Sequence, residues 1–288
     1  MTTTIPTSPR QMFHLGEATI AVFNVGESRL SLAETLNVTE ADWMPRYADH
    51  FTAPARVPIL CIHIALPGLT VLVDSGIYDF PEGSQFAFPD YSPPPGLPEQ
   101  MAEAGFDLAA VDHLVITHAH GDHFNATTVE RDGHLEPVFP NARLHLGRGD
   151  WERQATQEAL QKPDSLESQT FGVYHQLGRL VTDEGVTDLG HGVQIIAAPG
   201  ETPGHQIVRV HSQGKTLYLL GDLYHHVVEV EQPGWGVKWS DIPTAQASRQ
   251  AFAQRALAED ALLIATHIWG VGHLQSTDDG VRWEPKTV

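Results

Sequence analysis

Three histidines and an aspartate lie close together in the segment His118-Ala119-His120-Gly121-Asp122-His123. The segment directly follows an apolar, β-branched run at residues 113–117 that we predict to be a strand. Because side chains alternate along a strand, His118 and His120 can point the same way as the chain leaves the sheet. A bend at Gly121 then lets the next two residues face a neighbouring position. Imidazole and carboxylate suit Zn²⁺ and similar divalent ions, so the spacing predicts a metal site with enough ligands for two ions.

A second pair of candidate ligands flanks a predicted β-hairpin. Residues 206–211 and 216–220 read as strands joined by a turn at 212–215. His205 precedes the first strand, and Asp222 follows the second. The two residues are equally far from the centre of the turn, so an in-register hairpin places them opposite each other. The preceding Thr202-Pro203-Gly204 predicts a tight loop that presents the imidazole.

The last candidate ligand is His267, which follows an apolar run at residues 261–265 just as His118 follows its own strand. Open α/β sheets place ligands at the carboxyl ends of their strands. Taken alone, His267 is equally compatible with a structural histidine. The chain has 17 histidines, as many as its lysines and arginines together.

Strands outnumber helices in the predicted element order. The predicted strands cover residues 18–25, 57–66, 70–73, 113–117, 142–146, 193–197, 206–211, 216–220, 261–265 and 281–285. The predicted helices cover residues 40–47, 97–104, 125–130, 149–161 and 245–258. This alternation indicates a layered α/β protein with mixed sheets, organised as one domain over residues 18–288 behind an N-terminal extension over residues 1–17. The proline-rich segment 78–98 is interpreted either as an ordered loop near the site or as a flexible flap.

Composition excludes several classes of partner. Against 17 lysines and arginines stand 36 aspartates and glutamates, which gives a formal net charge of −19. Such a chain should repel nucleic acid and anionic membranes. Residues 1–10 lack the apolar stretch of a signal peptide, and no run approaches 18 apolar residues. One cysteine cannot form an internal disulfide, which fits a reducing compartment, so we expect a cytoplasmic protein. From the negative net charge we expect no nucleic-acid or membrane partner.

Taken in order, these motifs resemble the metallo-β-lactamase-fold hydrolase superfamily. That family combines His-x-His-x-Asp-His with a later His in a Thr-Pro-Gly-His context, an Asp after Gly, and a last His. Leu72-Val73-Asp74-Ser75-Gly76 also resembles the family's early strand-end motif, and the likeness spans about residues 18–270. The resemblance implies a four-layer αβ/βα sandwich of two mixed sheets, with metals bound at the sheet edges.

The resemblance also implies a cofactor and a ligand set. Two divalent metal ions are expected, Zn²⁺ first, with Mn, Co or Fe as alternatives. The first ion would be bound by His118, His120 and His205, the second by Asp122, His123 and His267, and both by Asp222. Asp74 would accept the outer N–H of a ligand histidine. Two such cations lower the pKa of a water from about 16 toward neutrality and polarise a carbonyl, so hydrolysis needs no Ser or Cys nucleophile.

The expected reaction is the opening of lactone or ester bonds, with Asp122, Asp222 and His225 taking part. The motifs at 202–205 and 221–223 resemble N-acyl homoserine lactonases and methyl-parathion-hydrolase-like enzymes, and the tail at 266–285 is nearer the second group. Lactonases typically carry a Tyr three residues after the bridging Asp. Here that position is His225, which could donate to the leaving group, and Tyr224 stands one residue earlier.

No cluster of arginines offers a phosphate clamp, so a small neutral ester or lactone is the expected substrate, with phosphotriester cleavage as a promiscuous activity. The alternatives of the same class are a glyoxalase-type thioester hydrolase and a β-lactamase. The alternative of a different class is a non-hydrolytic metal-binding or redox protein. Many members of the family are dimers, so a homodimer is expected by analogy.

Aromatic side chains are expected to line the substrate pocket. The candidates are Phe80, Phe86 and Phe88 on the proline-rich segment, with Trp235, Trp239 and Trp269. For each of them, core packing is an equally good interpretation. Tyr224, His226 and His273 are expected in the pocket or behind the ligands.

Overall fold

The computed structural model describes residues 11–77, 84, 93–278 and 280–288. In this part of the chain the strands are β1 (Gln11–Leu15), β2 (Ala18–Leu30), β3 (Ala55–Leu66), β4 (Leu69–Val73), β5 (His113–Val115), β6 (Thr128–Arg131), β7 (His134–Pro137), β8 (Arg143–Gly147), β9 (Leu180–Asp183), β10 (Val186–Gly190), β11 (Val193–Ala197), β12 (Gln206–Ser212), β13 (Lys215–Leu219), β14 (Leu262–Ile264), β15 (Val271–Thr277) and β16 (Gly280–Lys286). All ten predicted strands overlap one of these.

The described helices are mostly short. They are α1 (Leu32–Thr35), α2 (Glu40–Trp43), α3 (Ala48–Phe51), α4 (Leu97–Glu103), α5 (Gly121–Phe124), α6 (Arg148–Trp151), α7 (Gln154–Ala159), α8 (Leu166–Gln169), α9 (Phe171–Gln176), α10 (Val228–Glu231) and α11 (Ile242–Ala258). The long helix α11 begins behind Asp241, whose side chain accepts a hydrogen bond from the amide of Thr244. None of the helices in the described ranges is long and apolar enough to cross a bilayer.

The strands form two mixed sheets and a separate β6–β7 hairpin. The first sheet has the order β1-β2-β3-β4-β5-β8-β9, and the second runs from β10 to β16 in chain order. The pairs β4–β5, β5–β8 and β8–β9 are parallel, as is β13–β14. In each sheet these parallel strands end at the edge where the candidate ligands follow.

The alternation of side chains along the strands produces the layers. On β4, Val71 and Val73 pack into a core shared by both sheets, whereas Leu72 faces a second core with Met101 of α4. On β13, Leu217 and Leu219 enter the shared core, and the intervening tyrosine packs with α11. Helices therefore cover the outer face of each sheet, which is the predicted four-layer αβ/βα sandwich.

Three local predictions differ from the structure. Residues 125–130 form a 3-10 turn (Asn125–Thr127) and then β6, because the β-branched Thr127-Thr128-Val129 favours a strand. Residues 149–161 form two short helices, since Arg153 has an extended backbone between them. Within the predicted extension 1–17, β1 pairs with β2 across a turn at Gly16, so Gln11–Leu15 belongs to the sheet.

Candidate metal centre

Asp222 lies at the centre of the predicted ligands. Its Oδ2 atom is 3.2 Å from Nε2 of His267, 3.3 Å from Nε2 of His225 and 3.4 Å from Nε2 of His123. Nε2 of His118 is 3.8 Å away. All five side chains are buried, with exposed fractions of 8% or less. Four imidazoles thus converge on one carboxylate that is buried away from solvent.

The register of the β12–β13 hairpin explains how Asp222 arrives there. Val208 pairs with Leu219, and Ser212 pairs with Lys215, so residues equidistant from the turn lie opposite each other. Beyond the paired region, the amide of Asp222 donates a hydrogen bond of 3.1 Å to Nε2 of His205. The structure therefore brings this pair side by side, as the symmetry of the hairpin predicts.

The outer nitrogens of several histidines are already bonded. Nδ1 of His123 is 2.8 Å from Oδ2 of Asp74, the geometry that the expected orienting role requires. Nδ1 of His205 lies 2.9 Å from the carbonyl of Ala198, and Nδ1 of His267 lies 2.9 Å from that of Pro58. A carbonyl can only accept, so Nδ1 of each of these two rings carries a proton and Nε2 is the nitrogen that faces Asp222. Each ring thereby presents Nε2 as a ligand atom.

Unpartnered atoms at the centre fit bound cations. Nε2 of His123 and Oδ1 of Asp222 are buried and have no hydrogen-bond partner within the described ranges. Native proteins rarely leave such atoms unsatisfied, and an imidazole nitrogen beside a carboxylate oxygen is a donor set for Zn²⁺. The ligand atoms of Asp122, His123 and His267 lie within 4.8 Å of one another, which is the predicted second trio.

Glu201 joins the cluster although the sequence did not single it out. Its carboxylate groups with His118 and His120, and its Oε1 is 3.4 Å from Nδ1 of His120. The ring of His205, predicted for this trio, lies 5.3 Å from the ring of His118, with Nε2 turned to the amide of Asp222. Its position in the sequence could have indicated this role, because Glu201 lies in the same tight loop as His205.

His225 is fixed at the centre by its own backbone. Its amide donates a 2.6 Å hydrogen bond to Oε2 of Glu229, a fully buried carboxylate. Glu229 pairs in turn with Arg249 of α11 at 2.7 Å. The Nε2 atom of His225 lies 3.7 Å from Oε1 of Glu201 as well as close to Asp222. The loop after β13 is thus anchored to the helix layer, which aims this imidazole at the cluster.

Two ligand loops share one buried support, Asp150, that sequence reasoning also missed. Asp150 follows β8 and accepts hydrogen bonds of 2.8 Å from the amides of Ala119 and Gly204. The hydroxyl of Thr202 donates a third, also of 2.8 Å. The carboxylate therefore joins the loop of His118 and His120 to the loop of His205.

The electrostatics of the cluster divide its histidines into two groups. Burial lowers the pKa of His123 and of His225, but neighbouring carboxylates outweigh burial and raise each pKa well above its ordinary value. The same competition, with Asp222 as the main carboxylate, raises the pKa of His267 to about 9. Burial lowers the pKa of His118 and of His205, so these two imidazoles are neutral and ready to act as ligands.

We expect metal binding to release protons, because a cation must displace those that the metal-free cluster holds. At pH 7.5 the raised pKa values of His123 and His267, the two protonated rings that would bind a cation, predict release of about two protons per protein. Calorimetric titration of metal-free protein with Zn²⁺ in two buffers of different ionisation enthalpy measures this number. An observed enthalpy that does not depend on the buffer would contradict the prediction.

The same pKa shifts set the sign of the pH dependence. The pKa of His267 is raised from 6.5 to about 9 in the metal-free fold, so its contribution to stability is fully present below pH 6.5 and is lost as the pH rises through about 9. The metal-free protein should therefore lose stability over this window, while Zn²⁺ affinity increases.

A cavity of about 370 Å³ opens over the cluster. Apolar side chains of Leu30, Val57, Ile77 and Leu166 form part of its wall, and the floor includes Asp122, Asp222, His225 and His267. Among the predicted pocket aromatics, Trp239 lines this cavity. Phe80, Phe86 and Phe88 lie outside the described residues.

The other predicted pocket residues lie elsewhere. Tyr224 is 1% exposed and packs under α11 against Arg249 and Phe252, and Trp235 packs against Tyr47 and Phe51. His226 packs edge-to-face against His50, and His273 lies on β15 opposite Glu284. Trp269 donates to the carbonyl of Arg56. None of these five residues lines the cavity over the cluster.

Comparison with known proteins agrees with this arrangement. The family model described as the metallo-beta-lactamase superfamily matches residues 55–267. The chain belongs to this superfamily. The match contains every predicted metal ligand, so the metallo-beta-lactamase assignment covers both the fold and the region that forms the cluster. As a member of a hydrolase superfamily whose neighbours are hydrolases, the chain is a metal-dependent hydrolase.

Solved structures share the fold at low sequence identity. The crystal structure of hydrolase AbOPH in the beta lactamase superfamily has a TM-score of 0.78 and 20% identity, with 99% of each chain covered. AidC, a dizinc quorum-quenching lactonase in complex with a product, has a TM-score of 0.77 and 20% identity, covering 98% of this chain and 99% of AidC. AiiA of B. thuringiensis, a variant with N-decanoyl-L-homoserine bound at the active site, has a TM-score of 0.61 and 16% identity, covering 86% and 92%. A search of curated proteins found no match.

Proposed function

We propose that this metallohydrolase opens neutral lactones or carboxylic esters at the cluster around Asp222, with two Zn²⁺ ions as cofactors. The observation that carries the proposal is the cavity over the cluster. Its floor is made of imidazoles and carboxylates and part of its wall of aliphatic side chains, and among the described residues no lysine or arginine lines it. Such a cavity suits an uncharged substrate with an apolar part.

The donor set assigns residues to each cation. Asp122, His123 and His267 would hold one; His118 and His120 would hold the other with His205 or Glu201; Asp222 would contact both. Bound divalent cations lower the pKa of a water and polarise the substrate carbonyl. Every other task in the reaction falls to side chains of this chain.

Proton transfer is the task of Asp222 and His225. The Oδ2 atom of Asp222 lies 3.3 Å from Nε2 of His225, so the carboxylate can accept a hydrogen bond from the attacking water and guide its proton to that ring once the ring has given up its own. In the metal-free cluster burial lowers the pKa of His225, but Glu201 and Asp222 outweigh burial and raise this pKa, which favours a protonated ring at neutral pH. From Nε2 on the cavity floor it can donate that proton to the leaving alkoxide. Asp74 and the carbonyl of Pro58 keep the rings of His123 and His267 in place during this transfer.

The similar structures support the substrate class. AidC is described as a lactonase in complex with the product N-hexanoyl-L-homoserine, and the AiiA variant has N-decanoyl-L-homoserine bound at its active site. Hydrolysis of a neutral N-acyl homoserine lactone yields such a compound, and its apolar acyl chain suits the aliphatic part of the cavity wall here.

A substrate panel tests the proposal. Zn²⁺-loaded protein is assayed with N-hexanoyl homoserine lactone, p-nitrophenyl butyrate, a phosphotriester, a thioester and a cephalosporin. We expect turnover of the lactone and the aryl ester, lost on chelation and restored by Zn²⁺. Turnover of the thioester or the cephalosporin alone would favour the glyoxalase-type or β-lactamase alternative. Zinc binding without any turnover would favour a binding protein, and two bound irons with oxygen consumption would favour a redox protein.

A further inference from the structure

A second cavity adjoins the one over the metal cluster. It has a volume of about 820 Å³, and its lining combines Pro199 and Pro203 with the charged residues Arg153, Glu201 and Asp241. Three residues, His120, Gly121 and Trp239, line both cavities. His120 and Gly121 belong to the ligand loop, which leaves Trp239 as the large side chain of the boundary that is not needed for metal binding.

The indole of Trp239 is held in place although 52% of the residue is exposed. Its Nε1–H donates a 2.6 Å hydrogen bond to Oε1 of Glu201. The hydroxyl of the next residue, Ser240, donates to Oε2 of the same carboxylate. The indole N–H and the Ser240 hydroxyl therefore bond to the same buried carboxylate. These two hydrogen bonds give the half-exposed indole a defined orientation.

The backbone around Glu201 is equally constrained. Gly200 accepts a 2.8 Å hydrogen bond from the amide of Asp241, which ties the loop to the segment that carries Trp239. Gly200 has φ +141, and a Cβ there would lie 2.3 Å from Cα of Ala245 at the start of α11. The loop therefore packs directly on the helix, and Glu201 cannot move without displacing it.

Glu201 also faces the cluster, so one carboxylate connects the cavity boundary to the reaction centre. Its Oε1 lies 3.4 Å from Nδ1 of His120 and 3.7 Å from Nε2 of His225. The position of the indole is consequently fixed relative to the atoms that act on the substrate. An indole in this fixed position limits the length of the substrate group that fits between it and the reacting bond.

We propose that Trp239, positioned by Glu201, is the specificity-determining wall that limits the length of the substrate's acyl chain. The inference rests on the proposed function, because it places the scissile carbonyl over Asp222 and the chain toward the indole. Removing the indole joins the two cavities into a space about three times the volume of the first. Longer neutral acyl chains then gain room and apolar contact that the wild-type protein denies them.

The test compares variants over a series of acyl chains. Wild-type protein, Trp239→Ala, Trp239→Phe and Glu201→Gln are assayed with p-nitrophenyl esters and N-acyl homoserine lactones from butyryl to decanoyl. For Trp239→Ala we expect the ratio of kcat/KM for decanoyl to that for butyryl substrates to rise about tenfold, through a lower KM for the long chain. Trp239→Phe keeps an aromatic ring but loses the hydrogen bond to Glu201, and Glu201→Gln weakens the same contact, so each should shift the profile by a smaller factor.

Trp235→Ala is the matched control. This tryptophan precedes Trp239 by four residues, is partly buried against Tyr47 and Phe51, and lines neither cavity. Its replacement should leave the chain-length profile unchanged, and zinc content and melting temperature verify that each variant is folded and loaded. An unchanged profile in Trp239→Ala would overturn the inference.

A binding measurement separates this inference from the proposed function. Butanoate and decanoate are titrated into Zn²⁺-loaded wild-type protein and Trp239→Ala. A rise in relative affinity for decanoate in the variant supports the role of Trp239 as a wall. This holds even if the wild-type protein turns over no ester or lactone, because absence of turnover contradicts the proposed function and not the role of Trp239. Equal relative affinities in the two proteins would remove the wall while leaving the hydrolase proposal intact.

Discussion

Replacing Asp222 with alanine is expected to abolish metal binding and to lower kcat/KM for the best substrate by about 10³-fold or more. Its Oδ2 lies within 3.8 Å of four imidazole nitrogens, so the substitution removes a carboxylate that contacts them all. The raised pKa values of His123, His225 and His267 depend on this charge together with other nearby carboxylates. The remaining histidines would repel a cation whenever they are protonated and bind it weakly when they are neutral.

The measurements are zinc content by elemental analysis and steady-state rates at saturating Zn²⁺. Asp183→Ala provides a matched control, because Asp183 is also a buried carboxylate and lies 3.1 Å from a histidine nitrogen, Nδ1 of His145. Asp183 does not line the cavity over the metal cluster. The control should keep zinc and activity even if its melting temperature falls. An Asp222→Ala protein with full zinc occupancy and wild-type rates would contradict the mechanism that we propose.

The convergence of the candidate ligands could be predicted from the sequence because strand ends are local features. His118, His267 and Asp222 each follow a β-branched or apolar run, and the end of such a run marks a sheet edge. The symmetry of one hairpin, read from the spacing of its residues, was enough to place His205 beside Asp222. The alternating cores on β4 and β13 likewise follow from a period of two residues.

Side chains that act across the fold left no comparable signal. Glu201 joins the cluster through contacts with His120 and with Trp239, residues far from it along the chain. Asp150 follows a strand as the ligands do, but it stands in an ordinary Gly-Asp-Trp sequence, and its partners are backbone amides. A hydrogen bond to a backbone amide does not depend on the partner's side chain, so the residue types in the sequence do not predict this bond.

Pocket aromatics were the least predictable group, because burial of an aromatic ring has the same sequence signature in a core as in a cavity wall. Tyr224 and Trp239 both follow the hairpin, yet the first packs on Phe252 in the core and the second borders two cavities. Which ring faces the cavity is decided by the packing of α11 beneath the loop. That packing involves residues that no local pattern connects to the site.

Replacing Asp150 with alanine is expected to destabilise the fold by about 3–5 kcal/mol and to weaken Zn²⁺ binding by about 10- to 100-fold. The substitution leaves the amides of Ala119 and Gly204 buried without their acceptor, and the hydroxyl of Thr202 loses its partner as well. The backbones beside the carboxylate approach closely, since a Cβ at Gly147 would lie 1.8 Å from the carbonyl oxygen of Gly204. The two ligand loops would therefore separate. Chemical denaturation of the metal-free protein and Zn²⁺ titration measure the two effects.

Asp241→Ala distinguishes this support from an ordinary cap. Asp241 also accepts from an amide and a hydroxyl, both of Thr244, but it is exposed at the start of α11 and joins no ligand loops. Its loss should cost about 1 kcal/mol and leave Zn²⁺ affinity unchanged. If Asp150→Ala lowers stability but binds Zn²⁺ as tightly as the wild-type protein, the ligand loops keep their geometry without it. Asp150 would then support only the fold, and the placement of His118, His120 and His205 would have to come from their own strands.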